Sequence, residues 1–167
     1  QEGAAVVLAA RSAEKLEDAA ATLRESGANV LTVTADVSDP GDLTQLVDAT
    51  LAEFGQIDIL VNNAGIDCYH HFHTLEMEDI LATIETNLTG TILLTRLVIP
   101  HMLERSCGRV INLASTAGKH CTGIAWCVAK AGIRPSDTGI IRPLPETSVG
   151  ASCAYIQDFA TRLRNAK

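Results

Sequence analysis

Short apolar runs of strand length alternate with stretches of helical periodicity through residues 5–132, and that alternation leaves the chain few architectures. Residues 5–10 (AVVLAA) are one continuous apolar run. Ser12 follows as an N-cap, with Glu14 in the first turn where the helix dipole favours an anion. Leu16, Ala19, Ala20 and Leu23 recur at helical spacing, and Gly27 supplies a stop. A second strand is expected at 30–35. Ser38, with Pro40 just inside, opens a second helix whose stripe is Leu43, Leu46, Val47, Leu51 and Phe54, closed by Gly55.

The third run, 57–61, is apolar on nearly every position, as expected of a parallel-sheet strand buried on both faces. A longer helical region spans about 76–105, with Pro100 expected to bend or loosen its last turns. Residues 109–113 read as a fourth strand, and 125–132 begin another helix. Strands alternating with helices in this way build βαβ units, whose crossovers are right-handed and whose helices cover a parallel sheet. After Gly132 the pattern degrades: Pro135, Pro143 and Pro145 punctuate an irregular stretch, followed by a possible terminal helix at 151–165. The expected organisation is thus an α/β domain at 1–132 and an irregular tail at 133–167.

Composition narrows the partners. A net charge of −7 and a pI near 5.1 argue against nucleic acid or an anionic membrane surface, since both demand a basic patch. No apolar run is long enough for a transmembrane helix. Five cysteines without a CxxC pair fit free thiols in a reducing cytoplasm better than a disulfide framework. His70, His71 and His73 cluster, but only Cys68 stands near them, so a solvated loop is the expectation and no metal is assigned. Cys121 and Cys127 read as structural thiols, because an activating base in reach is not established.

The chemistry-bearing residues sit where strands end. Asn62-Asn63-Ala64-Gly65 closes the third strand, and small residues there let a ligand approach the backbone closely, at the edge where open α/β sheets bind ligands. Asp36-Val37 closes the second strand, and Asn87 lies in ETNLTG on the long helix. Ser115 follows the fourth strand in INLASTAG, and Lys130 stands in WCVAKAG.

In order and approximate spacing, these five motifs resemble the short-chain dehydrogenase/reductase family, ketoreductase-like branch, from residue 1 to about Gly132. The resemblance implies an incomplete Rossmann-type doubly wound parallel sheet and a nicotinamide-dependent oxidoreductase interconverting a carbonyl and an alcohol. It implies that Asp36 accepts from the adenine amino group with Val37 against the ring. Asn62, Asn63, Ala64 and Gly65 would line the adenosine side and brace the central strands. Asn87 would hold a kink and a water, Ser115 would hydrogen-bond the substrate carbonyl, and Lys130 would bind the nicotinamide ribose. Ala10 stands where NAD-preferring relatives place an acid, and Arg11 is able to pair with a 2′-phosphate, so NADP is expected over NAD. The substrate would be small or carrier-bound, and a homo-oligomer is an open possibility.

Two departures from the family pattern lower the expected activity. Four residues before Lys130, where the family has a tyrosine, stands Trp126, whose indole N–H donates a hydrogen bond but cannot serve as a general acid near neutral pH. The glycine-rich phosphate turn and the strand before it are also not found in the sequence, nor are the elements that complete the pocket after Gly132. The expectation is a chain truncated at both ends and impaired. The alternative is a non-catalytic fragment or mis-assembled reading frame, needing a partner for the missing strand. Lacking that strand, the runs 5–10 and 57–61 are expected to pair directly rather than leave two rows of backbone groups buried and unpaired.

Overall fold

A computed structural model of the chain describes residues 3–66, 72–113 and 139–141. The first βαβ unit follows the sequence pattern closely. Strand β1 (Val6–Ala10) pairs in parallel with β2 (Val30–Thr34), Val6 opposite Val30. Between them helix α1 (Ala13–Glu25) starts on the Ser12 side chain, which accepts from the Lys15 amide at 3.3 Å. It ends before Gly27, whose φ of +83° needs no Cβ penalty. Its stripe buries Leu16 and Ala20, while Ala19 stays exposed.

Helix α2 (Pro40–Phe54) begins one residue later than the sequence suggested. Asp39 is the N-cap, its carboxylate accepting from the Gly41 and Asp42 amides at 2.7 and 3.0 Å. Ser38 is drawn away because its amide and hydroxyl both donate to Asp36. Gly55, at φ +72°, closes the helix. Strand β3 (Ile59–Asn62) follows. Beyond it come α3 (Met77–Ile84), a π-helical turn (Glu85–Thr89), α4 (Gly90–Glu104) and β4 (Gly108–Asn112). The long helical region is therefore continuous but carries a π turn in its middle, and α4 runs past Pro100 to Glu104. Strand β4 pairs in parallel with β3, with Asn62 directly opposite Asn112.

Three expectations need correction. First, β1 and β3 do not pair: the strands form two sheets, β1-β2 and β3-β4-β5. One apolar cluster runs through both, joining Val33 of β2, Leu43, Leu46 and Val47 of α2, Leu60 of β3, Val98 of α4 and Val110 of β4. Helix α2 packs on β2 and on α4, so closing the slot would tear that core. The facing edges line one open cleft, so their backbone groups are not buried as the expected pairing assumed. Second, β3 is buried on one face only, with Ile59 at 54% and Val61 at 51% exposure, because no described helix covers that side. Third, part of the stretch after Gly132 is regular: β5 (Gly139–Ile141) pairs antiparallel with β4. The helices expected at 125–132 and 151–165 lie outside the described residues.

Candidate functional site

The loops that leave β1, β2 and β3 at their carboxyl ends open on one cleft of about 1030 Å³. Arg11, Asp36, Val37 and the segment from Asn63 to Ile66 border it, and Thr86, Gly90 and Thr91 close it from the long helix. This is the edge at which open α/β sheets take ligands.

After β2, the Asp36 carboxylate is fixed by its own neighbourhood. Its Oδ1 accepts from the Ser38 hydroxyl at 2.6 Å and the Ser38 amide at 2.9 Å, while the Asp36 amide donates to Asp42 Oδ2 at 2.8 Å. Arg11 Nη1 stands 3.8 Å from Asp36 Oδ2. The Ser38 hydroxyl above all, then the Ser38 amide and the Arg11 charge, hold the Asp36 carboxyl below its ordinary value against a smaller opposing effect of burial. Asp36 is therefore a fixed anion whose second oxygen keeps acceptor capacity. Arg11, with its side chain 66% exposed, is tied to Asp36 only by a long, solvent-screened contact and remains able to turn to another anion.

After β3, Asn62 turns inward and is 7% exposed. Its Nδ2 donates to Asn112 Oδ1 at 2.7 Å and to Thr95 Oγ1 at 3.0 Å, so one amide ties β3 to β4 and to α4. Asn63, Ala64 and Gly65 follow exposed. The segment is then clamped at Ile66, whose amide donates to Asn87 Oδ1 and whose carbonyl accepts from Asn87 Nδ2, both at 2.8 Å. Asn87 is fully buried in the π turn. Widening the helix there re-aims a side chain that a regular α-helix would place elsewhere, a frequent reason for such turns. A single amide thus satisfies both backbone groups of Ile66 and sets the height of the Asn63–Gly65 wall.

The opposite wall is set by contact. A Cβ built on Gly90 would lie 2.4 Å from the Val37 carbonyl oxygen and 3.1 Å from its carbon, so only glycine lets α4 start this close to the loop behind Asp36.

Of the residues singled out in the sequence, Arg11, Asp36, Val37, Asn63, Ala64 and Gly65 meet at this cleft, with Asn62 and Asn87 bracing it from behind. Ser115, Trp126 and Lys130 lie outside the described residues, as do His70, His71 and Cys68. Among the described residues no group of three or more His, Cys, Asp or Glu could hold a metal ion, and no helix is long and apolar enough to cross a membrane. Sequence reasoning gave Ser38 a helix-capping role instead of its place on Asp36, and it missed Gly90, Thr95 and Asn112. Gly90 and Asn112 stand inside stretches already singled out, ETNLTG and INLASTAG, whereas the role of Thr95 depends on a partner 33 residues away and left no local signal.

Comparison with known proteins agrees with this arrangement. The family model for short chain dehydrogenase matches residues 1–167. A ketoacyl reductase of Nostoc sp. is 35% identical over 137 residues, 80% of this chain and 47% of that protein. The 11-beta-hydroxysteroid dehydrogenase 1A of Arabidopsis thaliana is 40% identical over 129 residues, 76% of this chain and 35% of that protein. Among solved structures, a variant of actinorhodin polyketide ketoreductase with NADPH superposes with a TM-score of 0.74 at 36% identity, covering 77% of this chain and 51% of the other. A metagenomic short-chain oxidoreductase in complex with NADP gives 0.75 at 34% identity, covering 78% and 61%. The chain therefore spans about half the length of the proteins it matches. With the family model matched over residues 1–167 and the parallel βαβ units in place, this chain belongs to the short-chain dehydrogenase/reductase family.

Proposed function

We propose that this chain is an NADP(H)-preferring member of its family, of the type that interconverts a carbonyl and an alcohol, and that its own turnover is impaired. The observation that carries the reading is the pair of walls at the strand ends: the Asn63–Gly65 segment pinned through Asn87, and the Asp36–Val37 loop pressed on Gly90. A cleft at the strand ends with small residues on one side and a fixed carboxylate on the other suits the adenosine part of a dinucleotide. NADPH-bound and NADP-bound structures among the relatives support the same cofactor class.

In this reading Asp36 accepts from the adenine amino group, Val37 packs on the ring, and Arg11 swings from Asp36 to a 2′-phosphate. Ser115 orients the substrate carbonyl, and Lys130 holds the nicotinamide ribose. Asn87 braces the site rather than touching substrate. When bound, the cofactor supplies or accepts the hydride. Trp126, where a phenol would give the proton, leaves the transfer without a general acid. The substrate is a small or carrier-bound carbonyl compound in a reducing cytoplasm, handled by the unit at 1–132, with 133–167 as an appended segment.

Titration of the full chain with NADPH and NADH, followed by reduction of a broad ketone panel, tests the proposal. NADPH is expected to bind more tightly, with Arg11→Ala weakening it by roughly tenfold, the loss of one charge-assisted contact. Turnover is expected to stay below about 1 per second. Tighter binding of NADH overturns the cofactor assignment, and turnover at ordinary enzyme rates overturns the role given to Trp126.

A further inference from the structure

Helix α2 begins with half of a capping box and diverts the other half. In such a box the N-cap side chain accepts from the amide three residues on, and the side chain at that third position reaches back to the N-cap amide. Asp39 performs the first part, accepting from the Asp42 amide at 3.0 Å. Asp42 does not perform the second. The Asp39 amide donates to the Asp36 carbonyl at 3.0 Å, and Asp42 Oδ2 accepts from the Asp36 amide at 2.8 Å. The carboxylate that would close the helix end on itself is joined instead to the loop that borders the cleft.

That bond differs from the others on the loop. The Ser38 amide and hydroxyl close on Asp36 Oδ1, and the Asp39 amide closes on the Asp36 carbonyl, so these contacts shape the turn at 36–39 and travel with it. Gly90 limits the approach of Val37 to α4 but holds nothing in place. Among the described residues, only Asp42 bonds Asp36 to a position within α2. The anchor is firm, because Leu43, next in the chain, is fully buried in the core that both sheets share. Asp42 is half-buried and stands behind the cleft, whereas Asp36 and Val37 line it. Its influence on a ligand must pass through Asp36.

We propose that Asp42 is a positioning residue for base recognition: by holding the Asp36 amide it aims the Asp36 carboxylate at an exocyclic amino group, and so makes the cleft select adenine over a purine with a carbonyl at that place. The inference rests on the adenosine reading given above. Ser38 fixes the carboxylate relative to the loop, and Asp42 fixes the loop relative to α2. A hydrogen bond weakens steeply with misalignment, so a loop free to swing loses the contact that tells one base from another. Held in place, Asp36 Oδ2 meets an amino group favourably and a carbonyl oxygen unfavourably, since both of the latter pair are acceptors. An acid in the first turn also complements the helix dipole, and that is the competing role. Substitution separates the two: the dipole needs the charge of Asp42, while the Asp36 amide needs only an acceptor at its place.

The full chain and its variants are titrated with NADPH and with deamino-NADPH, the hypoxanthine analogue in which a carbonyl replaces the amino group. The unaltered chain is expected to favour NADPH by about tenfold or more. Asp42→Ala is expected to bring that ratio to within about twofold of one, by weakening NADPH and not its analogue. Asp42→Asn keeps an acceptor and drops the charge, and should retain the preference. Asp42→Glu keeps the charge and suits the helix end but moves the acceptor by one methylene, and should lose it. Hydrogen exchange at the Asp36 amide, read without ligand, should quicken in Asp42→Ala and Asp42→Glu and not in Asp42→Asn. The Asn and Glu substitutions keep the test decisive if Asp42→Ala fails to fold. A preference that follows the charge, kept by Asp42→Glu and lost by Asp42→Asn, overturns the proposal, as does one that survives Asp42→Ala. An unaltered chain that binds neither dinucleotide, or does not tell them apart, overturns the adenosine reading itself and this inference with it.

Discussion

The β1-β2 half and the β3-β4 half of the molecule are held together by different chemistry. In the first, α1 buries Leu16 and Ala20, and α2 buries Leu43, Leu46 and Val47. Its polar contacts are caps and turns of short sequence range, such as Ser12 to Lys15 and Asp36 to Ser38. In the second, Leu60 and Val110 enter the same core, yet the shape is fixed by amides reaching across the chain: Asn62 to Asn112, Asn62 to Thr95, and Asn87 to Ile66. Apolar packing tolerates some sliding, whereas a buried amide with two satisfied bonds tolerates little, because any slip leaves a polar group dry and unpaired. The half with the amide braces is the one that shapes the Asn63–Gly65 wall of the cleft.

The largest expected effect tests whether the halves are one cooperative unit. Leu43 is fully buried in the cluster that joins both sheets. Leu43→Ala should cost about 2–5 kcal/mol, from lost transfer energy and the cavity left behind. Urea unfolding followed by far-ultraviolet dichroism and by an amide probe in β4 should give one coincident transition at lower midpoint. Two separated transitions would break the comparison by showing that the halves unfold independently.

Next comes the amide clamp. Asn87→Ala removes both bonds to Ile66 at a position with no solvent access, stranding one N–H and one C=O. At about 1–3 kcal/mol for each stranded group, less whatever water reaches, roughly 2–4 kcal/mol is expected. Hydrogen exchange should accelerate at the Ile66 amide and stay unchanged at Val33 in β2. Equal acceleration at both positions would mean that the clamp acts on the whole molecule and not on its cleft wall.

The same division explains what the sequence disclosed. Strand and helix order, the Ser12 cap and the Gly27 and Gly55 stops were legible because each rests on local periodicity or a local cap, and the parallel direction of the strands followed from their alternation with helices. The cleft residues at Asp36 and Asn62–Gly65 were legible as motifs at strand ends. The Asn62–Thr95 bond and the Gly90–Val37 approach were not, since each joins residues more than thirty positions apart and depends on how α4 lies. The expected pairing of β1 with β3 failed for a related reason. It priced the backbone groups as buried, and only the packing of α2 and α4 shows that they face an open cleft.

A smaller effect is expected at Gly90. An alanine in a helix normally gains up to about 1 kcal/mol over glycine. Here its Cβ would meet the Val37 carbonyl at 2.4 Å, a backbone atom that cannot simply rotate away. The clash should outweigh the propensity gain and leave Gly90→Ala less stable by about 1–3 kcal/mol, as overpacking usually does. Amide chemical shifts should move at Val37 and Ser38 and stay in place at Leu16. A stabilised Gly90→Ala variant would mean that α4 retreats freely and that this contact does not fix its distance from the loop behind Asp36.

The smallest effect belongs to Asp36 and shows itself through pH. Its carboxyl is held below the ordinary value, first by the Ser38 hydroxyl, then by the Ser38 amide and the Arg11 charge. A depressed carboxylate binds its proton more weakly in the folded chain than in the unfolded one. Its contribution is therefore fully present above the unfolded value, near 3.9, and is lost as pH falls through that value toward the lower folded one. Above about pH 5 no dependence from this group is expected. Ser38→Ala removes the strongest of the three influences, since Ser38 Oγ donates to Asp36 Oδ1 at 2.6 Å. The variant should thus lose part of the acid-side slope of stability between about pH 5 and 3, while Arg11→Ala, removing a contact at 3.8 Å with a side chain mostly in water, changes it less. Urea midpoints across that range, with the Asp36 carboxyl followed by NMR titration, order the two variants. If Arg11→Ala raised the Asp36 value more than Ser38→Ala, the site would be governed by charge across the mouth of the cleft and not by the local turn. The first half of the molecule would then depend on contacts between strand ends much as the second half does.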